Sequence, residues 1–131
     1  MLTILVDDYD RGIEYFTKTL GFSLVEDTDL SIEKRWVVLA PDPNVGARIL
    51  LAKAATPEQK YAIGNQTGGR VGLFLYTSNF DSDYANMKTH GVDFIEAPRQ
   101  ETYGKVVVFK DLYGNKWDFI ERHADISLTS L

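Results

Sequence analysis

Few side chains in this sequence are suited to acid–base or nucleophilic work, and they are scattered. His90 and His123 are its two histidines, and it has no cysteine. Neither histidine has a nucleophile or a second base at a recognisable spacing, so no hydrolase triad can be assembled. Without cysteine there is no disulfide, no thiolate nucleophile and no Cys-based zinc site. Gly68-Gly69 lacks the lysine and following Ser/Thr of a phosphate loop and reads as a flexible hinge. The remaining candidates suit binding better than bond-making. Trp36 and Tyr103 can stack on an aromatic or cationic ligand, or serve as ordinary packing. Arg35 adjoins Trp36, while Arg99 and Glu101 beside Pro98 read as solvated loop charges or a cavity rim. His90 precedes Gly91 at an expected helix end, where a cation complements the helix dipole.

The background to these residues is an ordinary globular composition. The 131 residues are 44% hydrophobic and 25% charged, enough for one domain with a real core, taken as 1–131. The net charge of −5 comes from 19 acidic against 14 basic residues, with no Lys/Arg cluster, so a nucleic-acid partner is not expected. The longest apolar runs, 36–40 and 106–109, have the length of strands, far short of the roughly 20 residues that cross a bilayer. No membrane association is therefore expected. The chain opens on no signal-peptide pattern, and a cytoplasmic location is the expectation.

Periodicity supplies the elements that must position the site. A strand at 2–6 leads to a helix over 9–20, whose Ile13, Phe16 and Leu20 form one apolar stripe. Asp8 is suited to accept the free N–H groups of its first turn, and Gly21 to end it in the left-handed conformation. Strands are expected at 22–29, 34–40 and 47–53, with Pro41, Pro43 and Gly46 turning the last pair. The order then recurs: a strand at 70–76, a helix at 79–90 with Phe80, Tyr84 and Met87 on one side, a stop at Gly91, and strands at 92–96, 105–110 and 116–121. Gly21 and Gly91 lie 70 positions apart, as do Trp36 and Val106. An internal repeat of about 70 residues divides the chain into a first βαβββ module (1–53), a linker (54–69) and a second module (70–123). Each module buries one sheet face under its helix. The curved faces left over should oppose each other and form a cleft.

Two motifs give this pattern a family. Val6-x-Asp8 followed by Tyr15-Phe16-Thr17-x-x-Leu20-Gly21-Phe22 resembles the first strand and helix of the glyoxalase/bleomycin-resistance/extradiol-dioxygenase (vicinal oxygen chelate) superfamily. Asp111-Leu112-Tyr113-Gly114-Asn115-Lys116-Trp117-Asp118 resembles its final turn and strand. The resemblance extends from about Leu2 to Glu121. It implies an α+β fold of two βαβββ modules whose curved mixed sheets enclose a cleft. Metal-dependent members carry four ligands, His, Gln or Glu, on the first, fourth, fifth and eighth strands. Carried over by motif, those positions hold Met1, Leu50, Arg70 and Asp118. Leucine donates nothing to a divalent ion, arginine is a permanent cation, and the Met1 thioether is a weak ligand. One carboxylate cannot replace the three protein ligands a catalytic metal normally needs, so neither a metal site nor another cofactor is expected.

Arg70 and Asp118 occupy neighbouring ligand-equivalent positions and should meet in the cleft. There they would form a structural ion pair, or leave Arg70 to grip a ligand carboxylate or phosphate through its planar fork. Strand alternation puts Thr3 and Leu5, Leu50 and Ala52, Gly72 and Phe74, and Lys116 and Ile120 on the cleft faces, with Gly72 leaving room at the floor. This is a mostly apolar lining with a few polar points, read equally as a small-molecule site or as core filling. The ligand-binding candidates are Thr3, Leu5, Trp36, Leu50, Arg70, Phe74, Tyr103 and Asp118. The leading expectation is a homodimer that binds and sequesters a small organic molecule without a metal, as bleomycin-resistance members do. The alternatives are a lyase, isomerase or dioxygenase-like enzyme with Asp118 as base and Arg70 as electrostatic stabiliser, and an interaction domain with a filled cleft. A raised Asp118 pKa would favour the enzyme, and one lowered by Arg70 the binder.

Overall fold

The structure, a computed structural model, describes residues 1–123. Strand β1 (Leu2–Val6) leads into helix α1 (Tyr9–Glu14), which continues as a π-helical turn over Tyr15–Thr19. Asp8 starts the helix as its sequence position predicts: its carboxylate accepts the Arg11 N–H at 2.8 Å, satisfying one of the donors that a first turn leaves free. The widened last turn is seen in Leu20 N–H reaching back five residues to Tyr15 C=O. Gly21 then takes φ +75°, which a side chain would resist, and the chain turns into β2 (Ser23–Asp29). Strands β3 (Arg35–Ala40) and β4 (Ile49–Lys53) complete a four-stranded sheet in the order β1-β4-β3-β2. Only β1 and β4 run parallel in it.

The second half repeats this plan. Strand β5 (Val71–Tyr76) is followed by helix α3 (Phe80–Thr89). Gly91 closes that helix at φ +83° with the paired Gly91→Lys88 and Val92→Met87 backbone bonds of a Schellman turn. The sheet is built with β6 (Asp93–Phe94), β8 (Gly104–Lys110) and β9 (Lys116–Arg122) in the order β5-β9-β8-β6, and β5 and β9 are its parallel pair. The strand expected at 92–96 is shorter, and a further strand that was not expected follows it. β6 is two residues long, and β7 (Arg99–Glu101) pairs further along the same edge of β8. Pro98, which has no N–H to donate, separates them. Where the backbone leaves the ladder, the Glu96 carboxylate accepts the Val108 N–H at 3.0 Å.

Alternation along the strands builds the core. Ile4, Val6, Val37, Leu39, Ile49 and Leu51 of the first sheet, and Val107, Phe109, Trp117 and Phe119 of the second, are buried in one cluster with Phe16, Phe22, Phe80 and Met87. Helix α1 serves both sheets. Phe16 lies 6.2 Å from Trp117 of β9, ring centre to ring centre, and the Trp117 indole stacks on Phe109 at 5.6 Å. A Cβ added to Gly12 would meet Leu51 at 3.0 Å, so this glycine lets the helix sit close on the first sheet.

The 54–69 connection carries structure of its own. Thr56 caps α2 (Pro57–Ala62) by accepting the Gln59 N–H, and Pro57 opens it where a missing N–H is harmless. Gly64, at φ +75°, passes so close to the Asp111–Gly114 turn that an added Cβ would lie 1.8 Å from Tyr113 C=O. The Gln66 amide then pairs with the free edge of β1, accepting Leu5 N–H at 2.8 Å and donating to Thr3 C=O at 3.0 Å. No helix among the described residues is long and apolar enough to cross a membrane.

Candidate functional site

Each sheet keeps one face away from the shared core. On the first sheet, Thr3, Leu50 and Val38 lie in one row across β1, β4 and β3. On the second, Phe74, Asp118 and Val108 form the corresponding row across β5, β9 and β8, with Tyr76, Ile120, Val106 and Arg99 in the next. Alternation alone produces these rows, because neighbouring residues of a strand point to opposite faces.

The open face of the first sheet holds a wide concavity. A groove of about 1080 Å³ lies between that face, α2 and the β2–β3 hairpin. Its floor and walls include Thr3, Leu50, Ala52 and the half-buried Trp36. Gln59, Lys60 and Ile63 come from α2 and its C-terminal end, and Glu33, Lys34 and Arg35 come from the hairpin. α2 is placed by local chemistry: its Thr56 cap, and the Gln59 side chain accepting the Ala55 N–H at 2.8 Å. A second cavity, about 240 Å³, sits at the seam between the sheets, lined by Leu2, Thr3, Ile4, Gln66, Thr67, Gly72, Leu73, Asn115 and Lys116. Gly72 lines this second cavity, but Thr67 takes up the space a side chain there would need: its Cγ2 would lie 2.3 Å from an added Cβ.

The expected pairing of Arg70 with Asp118 is not made. Arg70 is exposed and forms no ion pair among the described residues. Asp118 instead faces Arg99 and Glu96. Burial pushes its carboxyl above the usual aspartate range, Arg99 pulls it back, and Glu96 pushes it up again. Arg99 and Glu101 are not loose loop charges either. The Arg99 guanidinium donates to Glu96 at 3.0 Å and to Glu101 at 2.5 Å, with all three side chains partly exposed. The two acidic neighbours hold the guanidinium charge firmly in place. The short strand β7, not expected from the sequence, begins just after Pro98 and places Arg99 beside Asp118.

The four ligand-equivalent positions fit no metal. Met1 is 67% exposed, Leu50 lines the groove on the first sheet, Arg70 is solvated, and Asp118 stands on the second sheet beside a guanidinium. Only one of the four is an anionic donor, and among the described residues no three His, Cys, Asp or Glu side chains gather into a metal-binding group.

Of the ligand candidates, Thr3, Trp36 and Leu50 share the large groove. Leu5 alternates onto the same face but lies outside the groove lining, and its N–H is taken by Gln66. Phe74 is 55% exposed on the other sheet. Tyr103, in the β7–β8 turn, is on a different sheet from Trp36 and accepts the His123 N–H through its carbonyl. His90 ends α3 with Nδ1 2.8 Å from Asn86 C=O, as a helix cap. Sequence reasoning missed Lys34, Lys53, Lys60 and Gln59 at the groove, and Glu96 beside Asp118. The groove residues come from separate segments, so no motif or period connects them. Glu96 carries no such sequence signal either, since its bond to the Val108 N–H joins residues twelve apart.

Comparison with known proteins places this geometry. The model of the Glyoxalase/Bleomycin resistance protein/Dioxygenase superfamily matches residues 1–119. An uncharacterized protein of Shewanella frigidimarina is 46% identical over 121 residues, covering 92% of this chain and 90% of that one. Among solved structures, UcmS2 superposes with a TM-score of 0.77 at 26% identity, over 91% of this chain and 93% of that one. TnmS3, an antibiotic binding protein from Streptomyces sp. CB03234, superposes with a TM-score of 0.76 at 24% identity, over 93% of each chain.

Proposed function

Because this chain belongs to the Glyoxalase/Bleomycin resistance protein/Dioxygenase superfamily, we propose that it binds and sequesters a small organic molecule without a metal, acting as a cytoplasmic homodimer. The observation that carries this reading is the groove over the first sheet. Its volume suits a drug-sized ligand, and Trp36, Leu50, Ala52 and Ile63 give it an apolar surface with polar groups around it. The donor chemistry of Met1, Leu50 and Arg70 argues against the metal-dependent reactions of the family. TnmS3 is an antibiotic binding protein, but at 24% identity its likeness speaks for the fold, so the ligand here is read from this chain's own residues. Phe74 and Tyr76, 55% and 58% exposed side by side on β5, support a second copy covering the open face of the second sheet.

A second reading has one observation in its favour. Burial pushes the Asp118 carboxyl up, which suits a proton-transferring group in a metal-independent lyase or isomerase. Arg99, not Arg70, would then be the adjacent cation. An interaction domain with a filled cleft fits poorly with a groove of this size.

Native mass spectrometry of protein purified without chelator tests the main reading. The expected result is a dimer without stoichiometric divalent metal, with any organic adduct lost on denaturation. One divalent ion per chain would overturn it. Turnover abolished by Asp118→Asn with ligand binding unchanged would establish the second.

A further inference from the structure

Resting on that reading, we infer that the groove selects organic anions: molecules with an aromatic or apolar body and a carboxylate, sulfonate or comparable anionic group. The chain as a whole is acidic, at net charge −5, yet the groove has the opposite balance. Four cations, Lys34, Arg35, Lys53 and Lys60, line it against two acids, Asp7 and Glu33. Two of these six are already paired, Asp7 with one cation and Arg35 with two carboxylates, so the Arg35 group keeps one excess negative charge. Arg35 is clasped by Asp27, at 2.7 and 3.1 Å, and by Asp10 at 2.8 Å, while Asp7 is held by Arg11 at 2.7 Å. That leaves three lysines against Glu33 and the one excess carboxylate at Arg35, still a positive balance, and none of the three lysines has a carboxylate partner among the described residues.

The lysines converge from three unrelated places: the β2–β3 hairpin, the end of β4, and α2. In a protein with an excess of acidic side chains, unpaired ammonium groups gathered at one concavity leave a local positive potential. The low-dielectric protein wall behind them focuses it into the groove. Trp36, Leu50 and Ala52 supply the apolar surface beneath. An anion with a planar body satisfies both parts at once: its ring lies on the tryptophan side and its charge reaches the lysines. A cation of the same shape would meet three like charges.

Isothermal titration calorimetry with three naphthalenes of one shape separates charge from shape: 2-naphthalenesulfonate, 2-naphthalenemethanol and 2-naphthylmethylammonium. The sulfonate should bind about tenfold more tightly than the alcohol, the scale of a few solvent-exposed charge interactions, and the ammonium most weakly. The K34Q/K53Q/K60Q variant should lose about that tenfold for the sulfonate and stay within about twofold for the alcohol, since the side chains of these exposed lysines form no ion pair among the described residues. Lys88→Gln, on α3, should change neither. Raising the salt should weaken the sulfonate alone. Equal affinity for all three probes, or an unchanged sulfonate affinity in the triple variant, overturns the anion preference and leaves small-molecule binding standing. No binding of any probe at millimolar concentration removes the groove itself as the site.

Discussion

Asp111 accepts the Trp117 indole N–H at 3.0 Å through Oδ2, while its Oδ1 accepts the backbone N–H groups of Tyr113 and Asn115 at 2.9 and 3.0 Å. The Asn115 side chain donates to the same Oδ2. One buried carboxylate thus closes the β8–β9 turn and fixes the indole that stacks on Phe109 and meets Phe16. The Asp111-to-Trp117 motif is in this way architectural. By fixing Trp117 inward it also turns Asp118, the next residue, onto the open face. Asp111→Ala leaves several donors unsatisfied, one of them a buried indole, and should destabilise the fold by about 3 kcal/mol in urea denaturation. A loss below about 1 kcal/mol would show that water replaces the carboxylate.

Two glycines with the same φ of +75° should behave differently. Gly21 has nothing within 4 Å of an added Cβ, whereas Gly64 has Tyr113 C=O at 1.8 Å. Gly21→Ala should lose about 1 kcal/mol from the backbone alone, and Gly64→Ala about 3 kcal/mol or more, because a backbone carbonyl must also move. Equal losses in the two variants would mean that the 54–69 segment is not held against the β8–β9 turn.

The raised carboxyl of Asp118 has a definite pH signature. Its folded pKa lies above its unfolded value, so folding is most favoured while the group is protonated. That contribution fades as pH rises from the ordinary value of 3.8 through the folded value. Asp118→Asn should therefore be more stable than the parent at pH 7, and the two should converge near pH 3. Denaturation midpoints against pH measure this. An Asn variant less stable at neutral pH would mean that the charge interaction with Arg99 outweighs burial.

Gln66 seals the β1 edge with two hydrogen bonds from an exposed position. Gln66→Ala should lower global stability by only about 1 kcal/mol. Local opening should increase more visibly, as faster amide exchange at Leu5, whose N–H loses its acceptor. An unchanged exchange rate at Leu5 would place that amide's protection elsewhere.

The sequence by itself determined the α+β class, the two βαβββ modules and the ends of their helices. Period-2 and helical stripes, Asp8 before α1, and Gly21 and Gly91 after each helix are local signals, governed by backbone dihedral preferences and nearby hydrogen bonds. The absent donor set at Met1, Leu50 and Arg70 was legible for the same reason, because ligand chemistry belongs to the residue type. Which charges meet was not legible, because it depends on how the elements are placed relative to one another. Arg70 lies in solvent, and Asp118 stands instead beside Arg99, which the unexpected strand β7 carries to it just after Pro98. The space at Gly72 went to Thr67, and the 54–69 connection folded into α2 and a seal on β1, since contacts made across the seam decided both. The groove lysines come from three segments with no common period. Only the packing of hairpin, β4 and α2 around Trp36 brings their charges together, because a potential depends on distances in space and not on spacing along the chain.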